Sequence, residues 1–468
     1  MTDTAEQPLV LDYARLDGRD ESMAQLLRQV VVLSLPVMVE HVLHLAVGLT
    51  DTYMANHLQT KAADGAAAVG SISYFLWFIG LLVTSIGTGA TAIIARAKGA
   101  RHKSLANSVC GQSATTAILL GLLLGILIFV FADPLITLTG LRGEAPAFAL
   151  SYLRMLAFSI PFSTLMFVAN SCLRGAGDTL TPAISMVVVD IVNIFFTYSL
   201  TVGACGLPAM GFNGIAIGTI IAYITGGMLQ AAVLISGIGG IRLHLHRLRP
   251  HWTTLKRIFR IGIPSGCEGL LIWTAQFVVI HVINRLDASN RVPTAHTNAV
   301  RIEGLSYMVC FGIAMAAATL VGQSLGAKRP DRARRCANAC YLLGGGIMTF
   351  CSVLFIALGR PMARFMSTDP LIIDLTAQCL FITAFCQPGF AAAIIFSGAL
   401  RGAGDTLMVM VLNLISIFAI RLAGVLIVAH GLGLGLAAIW IVLAAELFIR
   451  GVLLYARFLQ GGWVKVKV

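Results

Sequence analysis

The chain has 468 residues, 57% of them hydrophobic and only 12% charged, with a mean hydropathy of +0.86. This excludes a soluble globular protein, which needs far more charge to cover a surface of this size. The net charge of +12 does not indicate nucleic acid, because the basic residues sit in short loops between apolar runs and no zinc-finger or basic-groove pattern accompanies them.

Residues 1–29 are polar and mixed in charge, without a cleavable signal peptide, and are expected to be a cytoplasmic segment. Apolar runs of helical length follow at 30–54, 67–94, 107–131, 148–171, 181–200 and 212–236. A basic stretch at 237–259 precedes further runs at 260–283, 301–325, 338–358, 373–396, 407–429 and 434–457, and a cytoplasmic tail at 459–468. Each run reads as a helix, because backbone groups in lipid must be bonded within their own segment. The expected fold is an all-α polytopic membrane protein with twelve transmembrane helices in two pseudosymmetric six-helix bundles, 30–236 and 260–458, joined by the cytoplasmic linker 237–259. Lys and Arg crowd the loops after the second, sixth and eighth runs (for example Arg96, Lys98, Arg101 and Lys103), which places both termini in the cytoplasm.

Landmarks repeat in the two halves. "CLRGAGDTLTPA" begins at Cys172 and "ALRGAGDTLMVM" at Ala399, so Arg174 and Arg401 are 227 residues apart. Pro134 and Pro361, and Pro161 and Pro388, keep that offset, and Pro36 and Pro264 differ by one residue more. Such a parallel repeat suits a transporter whose halves rock about a central site. Within the motif, Arg174, Gly175, Asp178, Arg401, Gly402 and Asp405 read as structural turns. Arginine and aspartate would anchor helix ends, and glycine would serve a tight turn.

The first apolar run carries charge. At 100° per residue, Glu40, His44 and Asp51 share one face, and Glu40 and His44 stand one turn apart, close enough to pair. Ionisable groups inside a membrane usually mark a pathway. Asp51, Asn193, Glu40, His44 and Asp190 are therefore candidates for ion coupling, with oxygen ligands at Asp51 and Asn193 suited to Na⁺ or a proton. Glu268, Trp273, Tyr74, Trp77 and Arg421 are candidates for a cargo cavity or gate, with Glu446 as a partner for Arg421. The ten cysteines are scattered and read as small apolar filler. No H-E-x-x-H pair or G-x-S-x-G elbow is present, so catalysis is not expected.

The stretches "PVMVEHVLHLAVGLTDTYMANHL", the twin "LRGAGDT", "AMAAATLVGQSLGAKRPDRA" and "IFAIRLAG" resemble the multidrug and toxic compound extrusion (MATE) family over nearly the whole length. The resemblance implies a V-shaped cavity between two lobes and cation-coupled antiport of organic cations. It also implies that Asp51 matches the family's ion-binding carboxylate in the first helix and Asn193 its asparagine in the fifth. Where the family commonly has a second aspartate, this chain has Thr197, and Asp190 is a candidate substitute. The carboxylates that some branches carry near Trp273 and near Phe390 or Ala391 are absent. The expected protein is thus a monomeric, multi-pass antiporter of the cell inner membrane, exporting small organic cations or drugs against H⁺ or Na⁺. It would touch membrane lipid and require no cofactor. A flippase or exporter of a lipid-linked precursor or metabolite, and a membrane protein without transport, are the alternatives.

Overall fold

A computed structural model describes residues 21–58, 62–139, 141–287 and 291–466. The side chains of Tyr74 and Trp77 lie outside the described residues. The first half comprises α1 (Met23–Asn56), α2 (Ala62–Gly99), α3 (Lys103–Val130), α4 (Ala132–Thr139), α5 (Ala145–Leu156), α6 (Ile160–Ala176), α7 (Leu180–Val202) and α8 (Phe212–Ser236). The second comprises α9 (Trp252–Asn284), α10 (Arg291–Gly326), α11 (Pro330–Met366), α12 (Pro370–Ala384), α13 (Gln387–Gly402), α14 (Thr406–Gly431) and α15 (Leu436–Gln460).

Among the described residues, ten helices are long and apolar enough to cross a membrane. Two further candidates are bent pairs, α5 with α6 at 62° and α12 with α13 at 61°. The repeated prolines explain both breaks. Pro161 and Pro388 open α6 and α13, where a proline lacks the amide needed to continue the preceding hydrogen-bond ladder. The chain is therefore an all-α multi-pass membrane protein with ten to twelve apolar spans. Helix α14 departs from regular geometry, widening into π turns over Ser416–Leu422 and Ile427–Gly431.

The chain divides into two units, and the divisions fall inside helices. Pro36–Gly262 forms the first unit; Ile263–Val468 and the described residues up to Leu35 form the second. Helices α1 and α9 thus each begin in one unit and end in the other, changing at or beside the repeated prolines Pro36 and Pro264. The start of α1 is fastened within the second unit. The Glu21 carboxylate accepts from Arg332 Nε at 2.8 Å and from Gln29 Nε2 at 2.9 Å. Burial opposes the charge on Glu21, but the hydrogen bonds of Arg332 and Gln29 and the nearby guanidinium charges outweigh it and hold the carboxyl below its ordinary range.

The basic stretch before α9, expected as the joint, is strapped to α3 in the first unit. Gln112 Nε2 donates to the carbonyls of Arg247 and Arg249, each at 2.7 Å, and its Oε1 accepts from the His251 amide at 2.8 Å. Thr115 Oγ1 donates to the Leu248 carbonyl at 2.9 Å. One amide side chain thereby satisfies three backbone groups in and just after the short 3-10 turn Leu245–Leu248.

The RGAGDT twins divide their glycines by task, which corrects the expectation of a simple turn. Gly175 and Gly402 are helical, within the last turns of α6 and α13. A Cβ on Gly175 would lie 2.8 Å from the Thr91 carbonyl oxygen, and one on Gly402 2.1 Å from that of Ala318. Both admit close helix approach. The turn belongs to Gly177 and Gly404, whose φ values of 95° and 85° are left-handed. Gly402→Val should therefore lower the melting temperature in detergent by an overpacking cost of about 1–3 kcal/mol. Gly346→Val, with no atom within 4 Å of the added Cβ, should leave it nearly unchanged; equal melting of the two variants would contradict this assignment.

Candidate functional site

Asp51 lies on the inward face of α1 with Glu40 and Val47, all three buried. The face is the one expected from helical spacing, but His44 is not on its buried side. It is exposed and stands edge-on to Phe167 at 5.1 Å.

Around Asp51 the first unit gathers neutral donors from three helices. Tyr152 Oη, on α5, donates to Oδ2 at 2.7 Å. Thr219 Oγ1, on α8, sits 2.7 and 2.9 Å from the two oxygens and donates to the carboxylate. Asn193 Nδ2, on α7, lies 3.0 Å from Thr219 Oγ1, 3.3 Å from Thr197 Oγ1 and 3.5 Å from Asp51 Oδ1. All these side chains are at most 4% exposed. Helix α7 can reach α8 this closely because Gly218 faces Thr197, where a Cβ would fall 2.3 Å from the hydroxyl. Asn193 Oδ1 is buried without a hydrogen-bond partner among the described residues. So are both oxygens of Asp190, one turn earlier on α7.

A buried carboxylate without a cationic partner is expensive when charged. Hydroxyls and amides help it, yet they also accept its protonated form, because a hydroxyl can donate or accept. The Asp51 site can therefore exchange a proton or take a small cation without dismantling its surroundings. Asn193 Oδ1 supplies a waiting acceptor. Among the described residues, no group of three or more His, Cys, Asp or Glu converges as a metal cage.

Glu40 has a different environment. Arg174 Nη1 donates to its two oxygens at 2.7 and 2.8 Å, and Asn170 Nδ2 donates at 2.9 Å. The expected pairing of Glu40 with His44 is thus replaced by a guanidinium from the RGAGDT motif, a charged donor stronger than a neutral ring. The second half repeats the contact. Arg401 Nη2 donates to Glu268 Oε1 at 2.6 Å, with Asn413 Nδ2 on the same oxygen at 2.5 Å. Glu40 and Glu268 each stand four positions after their repeat's proline, a signal present in the sequence. The motif aspartates diverge. Asp178 accepts from the Thr181 amide and hydroxyl at the start of α7, whereas Asp405 accepts from Arg457 at 2.9 and 3.0 Å.

In the second unit, Arg421 pairs with Glu446 as its sequence suggested, at 2.7 Å, from within the π-widened part of α14. Arg421 Nη1 also lies 3.3 Å from Gln276 Oε1. Trp273, half-buried on α9, packs edge-on against Phe277 at 6.3 Å between centroids. Tyr152 and Thr219, both bonded to Asp51, were not among the sequence candidates. A lone tyrosine or threonine in an apolar helix carries no spacing signal that would single it out.

The MatE family model matches the chain twice, over residues 36–199 and 264–427. The internal repeat is therefore two copies of one family unit. A probable multidrug resistance protein NorM of Thermotoga maritima is 30% identical over 447 residues, covering 95% of each chain. Two solved structures share the fold at 22% identity and 96% coverage of this chain. One is a MATE protein in a bent conformation, covered to 99%, at a TM-score of 0.86. The other is a MOP superfamily transporter from Pyrococcus furiosus, covered completely, at 0.81, whose binding pocket is described as reversed in polarity. With both halves matched and the length of the Thermotoga relative spanned, the chain belongs to the MatE family of multi-pass secondary membrane transporters.

Proposed function

We propose that the protein is an antiporter of the cell inner membrane that exports organic cations or drugs in exchange for H⁺ or Na⁺. In this reading the family's two repeats form two six-helix bundles with twelve spans, both termini are cytoplasmic, and a monomer carries out transport without a cofactor or covalent chemistry. The observation that carries it is the Asp51 carboxylate, buried among Tyr152, Thr219 and Asn193 with no basic side chain bonded to it among the described residues. An occupied and an empty ion site are then close in energy, which exchange requires. Asp190, buried one turn before Asn193 on α7, has both oxygens without a hydrogen-bond partner among the described residues and is in this reading a further carboxylate for the coupling ion. Glu40, by contrast, is clamped by Arg174.

The drug assignment draws support from the Thermotoga relative, whose name is that of a multidrug resistance protein. Export of an anionic metabolite or lipid precursor is the second reading, favoured by the reversed pocket polarity described for the Pyrococcus structure. At the cytoplasmic start of α9, exposed Trp252, Lys256, Arg257 and Arg260 offer anionic lipid headgroups a ring and three charges. Purified protein in liposomes, loaded with ethidium and exposed separately to pH and Na⁺ gradients, tests the reading. Ethidium should move uphill under one gradient and stop when that gradient is dissipated. No uphill movement under either would refute cation antiport.

A further inference from the structure

The buried acids of the described chain sort by partner. Glu40, Glu268, Glu446 and Asp405 are each bound to arginine. Asp178 caps the start of α7. Asp51 and Asp190 remain, with one more, Glu303 on α10, which is only 7% exposed. An arginine-bound carboxylate keeps its charge. One surrounded by neutral donors is free to change it.

Glu303 sits where the bent pair of the second unit breaks. Thr383 Oγ1, at the end of α12, donates to its Oε1 at 2.5 Å. Gln387 Nε2, at the start of α13, lies 3.5 Å from the same oxygen. Ser306 Oγ, 2.8 Å from the Glu303 carbonyl oxygen, lies 3.0 Å from Gln387 Oε1 and ties the amide to α10. The pairing of a threonine hydroxyl with a carboxamide is also the chemistry around Asp51. Other groups facing Glu303 are Tyr307 one turn along α10, Cys379 on α12 and Cys386 between α12 and α13. Arg421 acts on Glu303 through space, while its own hydrogen bonds go to Glu446 and Gln276.

We propose that Glu303, held by Thr383 and Gln387 at the α12–α13 break, is a second proton-binding site, which loads and unloads during the same transport cycle as Asp51. The proton arrives on a carboxylate oxygen, and the Thr383 hydroxyl then turns from donor to acceptor, its own hydrogen passing toward Cys386 Sγ at 3.5 Å. The transport role rests on the antiport reading above; the proton site itself does not.

Dicyclohexylcarbodiimide reacts with protonated carboxyls in apolar surroundings and tests the site directly on the full chain in detergent. Mass mapping should find an adduct on Glu303, formed about tenfold more slowly per pH unit above a midpoint. In Glu303→Gln that adduct should vanish while adducts elsewhere persist. Thr383→Val removes a donor to the charged form, so the midpoint should rise by about one pH unit, a shift that a merely structural threonine would not produce. In ethidium-transporting liposomes, Glu303→Gln should move fewer protons per ethidium than the parent. An unlabelled Glu303 at every pH, a pH-independent labelling rate, or an unchanged proton count in Glu303→Gln would each overturn the proposal. If Glu303→Gln does not fold, the Thr383→Val midpoint decides. Loss of coupling in an Asp51 variant together with an unlabelled Glu303 would remove this proposal and leave the antiport reading standing. A labelled Glu303 together with unchanged coupling in the Asp51 variant would keep the proton site and dismiss Asp51 as its partner in the cycle.

Discussion

Asp51→Asn should reduce gradient-driven ethidium efflux to that of protein-free liposomes while leaving the protein folded in the membrane. The substitution keeps the shape, and its one carbonyl oxygen still accepts from Tyr152 or Thr219. It removes the only change of charge the site can make, and with it the differential affinity by which an ion gradient biases two conformations. Passive exchange of ethidium down its own gradient should survive, because the scaffold does not depend on an ion pair at this position. Asp51→Glu, which keeps the acid but lengthens it inside a closed donor set, should retain part of the coupled rate. Efflux in Asp51→Asn that still tracks the imposed gradient would dismiss Asp51 as the coupling group.

The largest loss of stability is expected from Glu446→Ala. Glu446 is fully buried, and its carboxylate meets Arg421 at 2.7 Å, Arg450 at 3.1 Å and the Ser416 hydroxyl at 2.7 Å. Removing it leaves two largely buried guanidinium groups without their anion, a loss of about 3–5 kcal/mol by comparison with other broken buried pairs. The expected result is a strongly lowered melting temperature in detergent and poor recovery of monodisperse protein. Asp374→Ala provides the contrast. Its partner Arg360 is equally close at 2.8 Å, but both side chains are more than half exposed, and the pair should contribute only about 0–1 kcal/mol. If both variants melt alike, the Glu446 cluster is not the anchor of α14 and α15.

Much of the architecture was legible in the chain. Apolar runs announced the spans, and the duplicated RGAGDT and prolines announced the repeat. Pro161 and Pro388 were legible as repeat landmarks within continuous spans, and the bends near 60° beside them appear only in the structure. The Arg421–Glu446 pair was readable because an arginine in an apolar helix must find an anion. The Glu40 environment was not legible, because helical spacing sees only neighbours on one helix. It points to His44, while the actual partner lies 134 positions away.

Sequence alone therefore determined the class of the molecule, its duplicated plan and the face of α1 that carries Asp51, since hydropathy, motif identity and helical phase are local properties of the chain. Tertiary structure decided which acids are locked to arginine and which meet only hydroxyls and amides. That division depends on side chains brought together from distant helices, such as Tyr152, Thr219 and Thr383. Whether a buried carboxylate can exchange its ion is set by the charge of its spatial neighbours, and no spacing along the chain encodes those neighbours.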